Sequence, residues 1–592
     1  MKKIWKLRET DANLDLMSKV LDIQTPTAAV LAHREIRSKN TALRYLRADL
    51  NQADILCMKD AQKAIERIDK AIKAGERMMV YGDYDADGVM STAILYKSLK
   101  ACGAKVHFYI PNREEEGYGL NSKAINSIKS SDYDLIIACD NGISALDEIA
   151  EANALGMDVI VIDHHEPGFV GEGEHREDVI PEAFAVVDPK QADCPYPFKE
   201  MCAGGLAFSL MKVFFTYTGR DFSPLHDELL ALAAISTVCD IVDLSEDNRA
   251  IVKNGLLALN RNKTLNKGLR QLIALKGYLE KPIDTFTLGF VIGPCINATG
   301  RLESAEMSVR LLISADENEQ INLARNLSDL NEERKNLTRS CADRVLEKCT
   351  QMSEDGLNIL LTVDRETHES IAGIVAGRVK DRLNRPVIVL TKSAEEGVLK
   401  GSGRSIPAYN MFEALYENRD LFLRFGGHAM AAGLSIEEEN ADKLLQRLNK
   451  NCQLTEADLQ TVLEIDRALG LNEITLKLAH ELEMLSPFGK GNSEPLFVSY
   501  NMTPSALRVI GDKNTLIFSF DKLKAIAFGL NDIFLERLQE AYDEQTYRRI
   551  ISGEVQNLTM DLAYVLETNT YNGRTSAQMR IRDFKIKSAN KR

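Results

Sequence analysis

Short apolar runs alternate with longer amphipathic stretches in the first third of the chain. The apolar runs occupy residues 77–83, 105–110, 134–140 and 158–163. Helix-like segments such as 89–101 and 144–155 lie between them. Alternation of short apolar runs with helical segments is typical of βαβ units, whose parallel strands are buried on both faces. The pattern therefore predicts an α/β lobe with a mostly parallel sheet.

The rest of the chain shows three further patterns. Residues 316–350 read as one long helix that is too polar for a core element, and we interpret it as a bridge between two lobes. A second α/β pattern runs from 357 to 436. In the last part, short alternating runs are separated by turns such as Asn572-Gly573, which is typical of a small β-barrel of the OB type.

The predicted fold class is α/β: two α/β lobes joined by a long helix, followed by a C-terminal OB-type β-barrel. A chain of 592 residues is too long for one hydrophobic core, so several domains are expected. The expected segments are an N-terminal helical segment that packs on the first lobe (1–55), a catalytic lobe (56–315), the connecting helix (316–352), a second lobe (353–452) and a nucleic-acid-binding OB fold (453–592).

The composition indicates the cellular compartment of the protein more clearly than it indicates the function. No apolar run reaches the ~18 residues of a membrane span, and the first residues contain no apolar core of a secretory leader. The ten cysteines form no CxxC pair, so neither a zinc ribbon nor a disulfide framework is indicated. We therefore expect a cytoplasmic protein. The net charge of −14 does not exclude an enzyme that grips nucleic acid locally, because binding depends on the local field.

The strongest chemical signal is the segment VYGDYDADGVMSTA. Asp83, Asp85 and Asp87 directly follow an apolar strand, and Gly88 opens a helix. Carboxylates at alternate positions repel one another unless a cation lies among them. An EF-hand calcium loop is the first alternative, but it needs a preceding helix and a glutamate at loop position 12, which is Ile94 here. The EF-hand interpretation therefore fails.

Two later strands of the same predicted sheet also end in polar groups. One ends in Asp140-Asn141-Gly142, and the next ends in Asp163-His164-His165. The carboxyl ends of the strands are where open α/β sheets bind ligands. A further acid, Asp240, lies in a helical segment and could complete the set. Carboxylates with one imidazole suit Mn²⁺ or Mg²⁺, and two such ions can catalyse phosphoryl transfer.

These motifs carry a family resemblance. DYDADG, CDNG, IDHHEP and STVCDIVDL resemble, in order, the four motifs of the DHH phosphoesterase superfamily. The resemblance implies the metal ligands Asp83, Asp85, Asp87, Asp140, His164 and Asp240. It also implies that Asp140 bridges two ions, that His165 faces the scissile phosphate, and that Asp163 orients an imidazole. Asp243 competes with Asp240, which is preferred because it stands at the motif position.

Other segments narrow the resemblance to one branch of the superfamily, which degrades single-stranded DNA from the 5′ end. They are PNREEEGYGL, YPFKEMCAGGLAF, GPCINATGRL, THESIAGIVAGR, GSGRSI and SPFGKGN. The second lobe would then be a DHHA1 domain. The implied substrate-binding residues are Arg113, Ser402 and Arg404 for the terminal phosphate, with Asn297, Arg301 and His428 lining the cleft. Gly427 allows close backbone approach to a ligand.

Two residues depart from the pattern of that branch. Cys295 stands where an arginine is common, so one phosphate contact is expected to be absent or replaced, and Thr367 stands where an aromatic residue is usual. Neither lies in a metal motif. The C-terminal stretch from Arg574 to Arg592 holds seven Lys or Arg and one acid, Asp583. With Tyr564, Tyr571 and Phe584 nearby, this stretch suggests a single-strand groove with stacking aromatics, although a solvated charged tail is an equal alternative.

The resemblance thus implies a 5′→3′ exonuclease that hydrolyses single-stranded DNA to mononucleotides with two Mn²⁺ or Mg²⁺ ions. Roles in recombination and mismatch repair, a monomeric state, and helicase and single-strand-binding partners follow from the resemblance alone; no membrane contact is expected. Two alternatives stay open. One is a phosphodiesterase for short oligonucleotides or cyclic dinucleotides. The other is an inactive scaffold in a replication complex, although such proteins lose metal ligands.

Overall fold

The computed structural model describes residues 3–50, 54–113, 115–171, 177–510 and 514–587. The chain forms two compact units. The larger unit contains residues 50–460, and the smaller unit combines residues 1–49 with residues 461–592. None of the helices in the described ranges has the length and apolar character needed to cross a membrane.

The first lobe of the larger unit is built on a parallel five-stranded sheet. From edge to edge its strands are Lys105–Tyr109, Arg77–Tyr81, Leu135–Cys139, Asp158–Ile162 and Ala185–Val187. The four apolar runs of the sequence are the first four of these strands. The three inner strands are buried on both faces of the sheet, whereas His107 in the edge strand Lys105–Tyr109 is exposed. A small antiparallel pair, Gly168–Val170 with Glu177–Val179, lies outside this sheet.

Helices cover the sheet and extend the lobe. They are Ala61–Ala74, Ala86–Ala101, Ser122–Ser130, Leu146–Ala154, Ala203–Tyr217, Ser223–Cys239, Glu246–Arg261, Lys267–Leu275, Gly293–Leu302 and Glu306–Ile313, with a 3₁₀ turn at Ile55–Cys57 and a π-helical turn at Thr287–Ile292. One large apolar core joins one face of the sheet to most of these helices, and a second core joins the other face to the helices Ser122–Ser130 and Leu146–Ala154. The helix Ser223–Cys239 lies in the first of these cores and ends at Asp240.

A single helix of 38 residues, Glu317–Glu354, leads from the first lobe to the second. Asp316 caps it by accepting hydrogen bonds from the N–H groups of Asn318 and Glu319. Its sequence is mostly polar, yet Leu323 and Leu327 pack in the core of the first lobe and Val345 packs in the second. The bridging helix expected from the sequence is therefore present.

The second lobe is a mixed five-stranded sheet with helices. Its strand order is Phe422–His428, Ala431–Glu437, Val398–Arg404, Val387–Lys392 and Leu360–Val363, and the last two pair in parallel. The helices are Glu369–Leu383, Met411–Tyr416 and Ala441–Lys450, with 3₁₀ turns at Arg419–Leu421 and Glu438–Asn440. Residues predicted to form a second α/β pattern thus form one.

The smaller unit contains a seven-stranded sheet. In order, its strands are Arg467–Ala468, Phe497–Met502, Met560–Tyr571, Arg574–Ile586, Leu523–Phe528, Thr515–Phe520 and Ala506–Ile510. The two longest strands form a hairpin through Asn572-Gly573, whose φ angles of 49° and 74° suit a tight turn. The unit's helices are Leu14–Leu21, Thr25–His33, Lys39–Arg47, Leu476–Glu483, Asn531–Ala541 and Glu544–Ile551, with 3₁₀ turns at Leu471–Glu473 and Val555–Asn557.

The N-terminal segment corrects one expectation. Residues 1–49 belong to the smaller unit and not to the unit that contains the first lobe, on which we expected this segment to pack. The strand Ile4–Leu7 pairs in parallel with Val462–Ile465, and Leu31 packs in the apolar core under the seven-stranded sheet. The helix Thr25–His33 is apolar on nearly all sides, and seven of its nine residues are buried, among them Ala28, Val30, Leu31 and Ala32 in this core.

The aromatic residues of the C-terminal sheet also differ from expectation. Tyr564 and Phe584 are fully buried, and both pack in the core of the smaller unit. They therefore fill the interior and offer no ring to a nucleobase. Tyr571, at the hairpin turn, is 73% exposed and keeps its ring accessible. Residues 588–592 of the basic C-terminal stretch lie outside the described residues.

Candidate metal centre

The DYDADG motif forms the turn between the strand Arg77–Tyr81 and the helix Ala86–Ala101. Asp85 caps that helix, because its Oδ1 accepts hydrogen bonds from the N–H groups of Asp87 at 2.9 Å and Gly88 at 3.2 Å. A Cβ atom at Gly88 would come within 2.6 Å of backbone atoms of Asp83. Glycine is therefore required there, and the tight turn brings three carboxylates to one end of the sheet.

The six predicted metal ligands come together at this end of the sheet. Ligand atoms of Asp83, Asp85 and Asp140 lie within 4.8 Å of one another. The ligand atoms of Asp87, His164 and Asp240 also lie within 4.8 Å of one another and form a second group. His164 Nε2 lies 3.2 Å from Asp140 Oδ1 and 3.8 Å from Asp240 Oδ2. Asp140 is therefore placed between the two groups.

The electrostatics of both groups favour a bound cation. Burial, together with the neighbouring Asp85, raises the pKa of Asp83 well above its ordinary range. Burial and the surrounding aspartates, Asp87 first among them, raise the pKa of Asp140 as well. The buried Oδ1 of Asp83 has no hydrogen-bond partner among the described residues. Oxygen ligands with one imidazole nitrogen fit Mn²⁺ or Mg²⁺, which would offset the mutual repulsion of these carboxylates.

Asp87 is held by groups that lie in the quoted motifs but whose role those motifs did not indicate. Its Oδ2 accepts a hydrogen bond from the N–H of Ala203 at 2.9 Å, and its Oδ1 accepts one from the N–H of Gly204 at 2.8 Å. Both N–H groups lie in the first turn of the helix Ala203–Tyr217, where donors lack helical partners. The hydroxyl of Ser236 also donates to Asp87. The orientation of this carboxylate is therefore fixed from two helices.

Asp163 and His165 form a hydrogen-bonded pair, and their ligand atoms lie within 4.8 Å of those of Asp140 and His164. His165 Nδ1 lies 2.7 Å from Asp163 Oδ1, and Asp163 also accepts hydrogen bonds from the N–H groups of His164 and Ile143. Although burial opposes ionisation, these contacts, led by the hydrogen bond with His165, lower the pKa of Asp163 to about 2. Burial lowers the pKa of His165, but the hydrogen bond with Asp163 outweighs it and raises that pKa to about 9.

Tyr118 is a further residue of the site that sequence motifs did not identify by role. Its hydroxyl donates a hydrogen bond to the backbone oxygen of Asp140 at 2.8 Å and lies 3.4 Å from His165 Nδ1. The ring meets Tyr84 and His165 edge-on, with centroid distances of 6.3 Å and 5.9 Å. The segment PNREEEGYGL, quoted for its arginine, therefore also contributes an aromatic residue that supports the Asp140 loop.

A cationic cavity of about 540 Å³ gathers most of the predicted phosphate-binding residues. Arg113, Arg301, Ser402 and Arg404 all line it, and so do Arg424 and Lys400. Within the described ranges, no carboxylate forms an ion pair with Arg301 or Arg404. Burial lowers the pKa of Arg404, and burial together with Arg113 lowers the pKa of Arg301 to about 10. Half-buried guanidinium groups that form no ion pair suit an anionic ligand.

The arginines of this cavity are positioned by defined contacts. Arg404 donates hydrogen bonds to Ser402 Oγ at 2.9 Å and to the backbone oxygen of Gly403 at 2.8 Å. Arg301 donates to the backbone oxygen of Ser370 at 2.5 Å, which links the first lobe to the second. The Arg113 guanidinium lies 5.1 Å from the ring centroid of Tyr84, the residue between Asp83 and Asp85. The cavity therefore adjoins the metal groups.

The remaining predicted residues lie in different places. His428 lines a second cavity, of about 580 Å³, together with His164 and His165. Gly427 has a φ of 146°, and a side chain there would collide with the backbone of Ala431 and Ala432. Asn297 is half-buried, and its Oδ1 has no partner among the described residues. The predicted cleft thus consists of two cavities, with Arg301 in one and His428 in the other.

Both residues that depart from the family pattern are buried. Cys295 is fully buried, and its Sγ lies 3.4 Å from the Asn331 side chain and 3.3 Å from the backbone oxygen of Val291. The hydroxyl of Thr367 donates to Asp364 Oδ2 at 2.6 Å. Each side chain packs inside the protein, where it supports the fold.

Three family models match this chain. They are the DHH family N-terminal domain over residues 77–237, the DHHA1 domain over residues 356–454 and the RecJ OB domain over residues 465–583. The first two correspond to the two α/β lobes, and the third lies in the smaller unit. The fold and the acidic centre therefore define a phosphoesterase of the DHH/DHHA1 class.

Individual relatives specify the family within this class. The single-stranded-DNA-specific exonuclease RecJ of Bacillus subtilis (strain 168) is 37% identical over 98% of this chain and 70% of its own length. The enzyme of the same name from Salmonella typhimurium is 31% identical over 97% of this chain and 98% of its own length. The chain therefore belongs to the RecJ family of single-stranded-DNA-specific exonucleases.

Solved structures agree with this assignment. The crystal structure of RecJ from Thermus thermophilus in complex with Mn²⁺ superposes with a TM-score of 0.80 at 27% identity, and the match covers 98% of this chain and 79% of that one. A structure of the same protein in complex with Mg²⁺ gives a TM-score of 0.74. The match to the Mn²⁺ complex extends over both units of the chain.

Proposed function

We propose that this protein is a metal-dependent exonuclease that hydrolyses single-stranded DNA from the 5′ end and releases 5′-mononucleotides. The observation that carries the proposal is the position of the cationic cavity next to the two acidic groups. A strand terminus held by Arg301 and Arg404 would present a neighbouring phosphodiester to the acidic groups. Because the cavity would hold the terminal phosphate, the protein would act on strand ends.

The six predicted ligands would hold two divalent cations. Asp83, Asp85 and Asp140 would hold one, Asp87, His164 and Asp240 the other, and Asp140 lies between them. Bound Mn²⁺ or Mg²⁺ would activate water for hydrolysis and would offset negative charge on the phosphate. The preference for these ions is supported by the oxygen-rich ligand set and by the Mn²⁺ and Mg²⁺ complexes of the Thermus thermophilus relative.

The protein's own groups would orient the substrate and hold a proton. The Asp163 carboxylate holds the Nδ1 proton of His165, which leaves His165 Nε2 free to donate to a phosphate oxygen when the imidazole is charged. His428 would approach the same phosphate from the second lobe, since it lines one cavity with His165. Gly427 would let the backbone of the β-strand Phe422–His428 come close to the DNA.

The cellular setting is part of the proposal. We place the protein in the cytoplasm, as a monomer that acts in recombination and mismatch repair with a helicase and a single-strand-binding protein. All ten cysteines are free, which suits a reducing compartment. The 5′→3′ polarity and these partners rest on membership of the family.

One experiment tests the central proposal. The protein and Mn²⁺ are incubated with a single strand labelled at either end, a duplex and a dinucleotide, and the products are resolved by length. Release of a 5′-terminal mononucleotide from the single strand is expected. Preference for the dinucleotide would instead support an oligonucleotide or cyclic-dinucleotide phosphodiesterase, and no cleavage would support an inactive scaffold.

Matched variants separate the metal centre from general damage. Asp140→Ala should abolish hydrolysis, because it removes the group placed between both metal sets. Asp329→Asn, on the exposed face of the long helix, should leave hydrolysis unchanged. Hydrolysis by Asp140→Ala at the rate of the unmodified protein would refute the metal assignment.

A further inference from the structure

The fifth strand of the first lobe ends at the metal centre with a lysine that the proposed reaction does not use. Ala185–Val187 pairs in parallel with Asp158–Ile162, so both strands end at the same edge of the sheet. Asp163 directly follows the one strand, and Asp188-Pro189-Lys190 directly follows the other. Lys190 therefore lies at the edge of the sheet that carries the metal ligands.

A defined turn fixes the backbone of Lys190. The N–H of Lys190 donates to Asp188 Oδ1 at 2.8 Å. The side chain of Gln191 donates to the backbone oxygens of Val186 at 2.9 Å and Asp188 at 3.1 Å. Asp188 and Gln191 are both buried, and Pro189 restricts the backbone next to them. Because the chain is held on both sides of Lys190, its side chain starts from a fixed position.

The side chain of Lys190 lines the second cavity, of about 580 Å³, and is 18% exposed. Four residues at or beside the metal centre line the same cavity, namely Asp163, His164, His165 and His428. Lys190 Nζ lies 3.5 Å from Glu166 Oε1, but the Glu166 side chain is 61% exposed. An ion pair with a solvated carboxylate is weak, so an anion that enters the cavity can compete for the ammonium.

The electrostatics place the Lys190 ammonium beside the second group of metal ligands. Burial and the charge of Asp87 raise the pKa of Asp240, and the charge of Lys190 opposes that rise. Burial lowers the pKa of His164, and the charge of Lys190 also acts to lower it. Since charge effects weaken with distance, both ligands lie near the ammonium.

The two cavities adjoin different parts of the metal centre. The cationic cavity adjoins the first group of ligands, because Arg113 in its wall lies over the ring of Tyr84 in the DYDADG turn. The second cavity adjoins the second group, because His164 lines it. Asp140 lies between the two groups. A strand whose terminal phosphate occupies the cationic cavity would therefore cross both groups before it reached Lys190.

We propose that Lys190 binds a phosphodiester of the single strand on the 3′ side of the scissile bond. The proposal rests on the proposed function, because it assumes a strand that runs from the cationic cavity across the metal ions. The linkage bound would be the one that follows the scissile linkage. The ammonium carries three donors on a flexible stem, which suits the oxygens of a phosphodiester. The contact would hold the remaining strand when the mononucleotide leaves.

A role of Lys190 in the metal centre alone makes a different prediction. If the ammonium only offset the charge of Asp240 and its neighbours, its loss would change Mn²⁺ binding and leave DNA binding unaffected. A lysine that binds a phosphate instead releases a counterion from the strand, which makes binding depend on salt. The salt dependence of DNA binding therefore separates the two roles.

The first test measures binding without hydrolysis. The affinity for a labelled single strand is measured without metal at a series of salt concentrations. Lys190→Ala and Lys190→Gln should each reduce the slope of log affinity against log salt by roughly 0.7, the contribution of one phosphate contact on a single strand. Lys190→Arg should retain the slope. Lys70→Ala, at an exposed position on the helix Ala61–Ala74, is the control and should retain it as well.

The second test places one uncharged linkage in the strand. A methylphosphonate replaces the phosphodiester that follows the scissile one, and release of the first nucleotide is followed in a single turnover with Mn²⁺. On the normal strand, Lys190→Ala should raise the protein concentration for half the maximal rate by roughly 10- to 100-fold, the cost of a lost hydrogen bond between charged groups. The methylphosphonate should cost the unmodified protein a similar factor and cost Lys190→Ala nothing more. A strand with the methylphosphonate four linkages further on is the control.

The outcomes distinguish the contact from the proposed function. Additive losses from Lys190→Ala and from the methylphosphonate would overturn the contact. An unchanged salt slope in Lys190→Ala, with a fall in Mn²⁺ affinity in calorimetric titration, would also overturn it and assign Lys190 to the metal centre. Absence of hydrolysis by the unmodified protein would refute the proposed function, whereas the salt slope would still show whether Lys190 binds a phosphate.

Discussion

Asp163 Oδ1 lies 2.7 Å from Nδ1 of His165, and its Oδ2 accepts the N–H of Ile143 at 3.0 Å. The same carboxylate also accepts the N–H of His164 at 2.8 Å. Both oxygens of Asp163 accept hydrogen bonds, and the side chain is fully buried. The role of Asp163 is therefore to position His164 and His165. Asp163 acts on the reaction through His165, whose ring orientation and proton it fixes.

Asp163→Asn should lower kcat by about 10- to 100-fold, the usual cost of removing a group that orients a functional histidine. An amide there weakens the hold on the Nδ1 proton, so the pKa of His165 should fall from its raised value near 9. The pH profile of kcat should shift toward lower pH accordingly. An unchanged profile would show that His165 does not depend on Asp163.

Ser236→Ala should weaken binding of the second cation, since the Ser236 hydroxyl donates to Asp87. Loss of such a supporting contact costs about 10- to 100-fold in metal affinity or activity. Calorimetric titration with Mn²⁺ measures the affinity. The matched control is Thr237→Val, because the neighbouring hydroxyl donates to the backbone oxygen of Ala233 at 2.7 Å. Equal effects of the two substitutions would contradict a specific role for Ser236.

The stabilisation by Mn²⁺ should increase with pH. Burial and the nearby Asp87 raise the pKa of Asp240 to about 8 in the metal-free folded protein, far above its unfolded value near 3.8. Between these values the folded state holds a proton that the unfolded state has released, so the metal-free protein loses stability as pH rises toward 8. Mn²⁺ must displace that proton at pH 6 but less so at pH 8.

Thermal unfolding with EDTA and with Mn²⁺ checks this expectation at both pH values. The rise in Tm on adding Mn²⁺ should be larger at pH 8 than at pH 6. In Asp240→Asn the difference between the two pH values should shrink. A Mn²⁺ effect that is the same at both pH values would be inconsistent with protonated carboxyls in the metal-free centre.

Gly373→Ala should impair binding of the terminal phosphate. A Cβ atom at Gly373 would lie 2.6 Å from Nη2 of Arg404 and 2.9 Å from Oγ of Ser402, so the guanidinium must move. At Gly377, one turn along the same helix, it would lie 3.9 Å from Arg404 Cγ, which is ordinary contact. Loss of a hydrogen bond to a charged group predicts a rise in KM of about 10-fold for Gly373→Ala.

The substrate pair for this test is one strand with a 5′-phosphate and the same strand with a 5′-hydroxyl. Gly373→Ala should raise KM for the phosphorylated strand and have little effect on the other. Gly377→Ala should behave like the unmodified protein on both. A similar rise in KM for the two strands would show that the cavity does not bind the terminal phosphate.

Glu481→Ala should destabilise the smaller unit. Glu481 Oε2 accepts hydrogen bonds from the N–H of Gln24 and the hydroxyl of Thr27, each at 2.8 Å, and so caps the helix Thr25–His33. Removing this buried acceptor leaves donors unsatisfied, which costs about 1–3 kcal/mol. Denaturant unfolding measures the loss. Glu481→Gln retains an oxygen acceptor and should lose much less; an equal loss would indicate a packing effect.

Sequence patterns correctly predicted the structural features that depend on residues close together in the chain. Strand ends and helix starts place Asp83 and Asp140, because the carboxyl ends of parallel strands share one edge. The contact of Ser236 with Asp87 joins residues far apart in the chain, and no local pattern indicates it. The burial of Tyr564 and Phe584 was missed for a similar reason: a strand pattern does not say which face the core covers.

The discontinuous smaller unit has a consequence for synthesis on the ribosome. Residues 1–49 emerge before the larger unit, but the strand Val462–Ile465 that pairs with Ile4–Leu7 is made only after that unit. The intervening unit has 411 residues, which take roughly 20 to 80 s to translate at typical elongation rates. During that interval the apolar helix Thr25–His33 lacks the later residues that bury it in the core of the smaller unit. Nascent chains of this protein are therefore expected to need chaperone protection of residues 1–49 until residues 461–592 have been made.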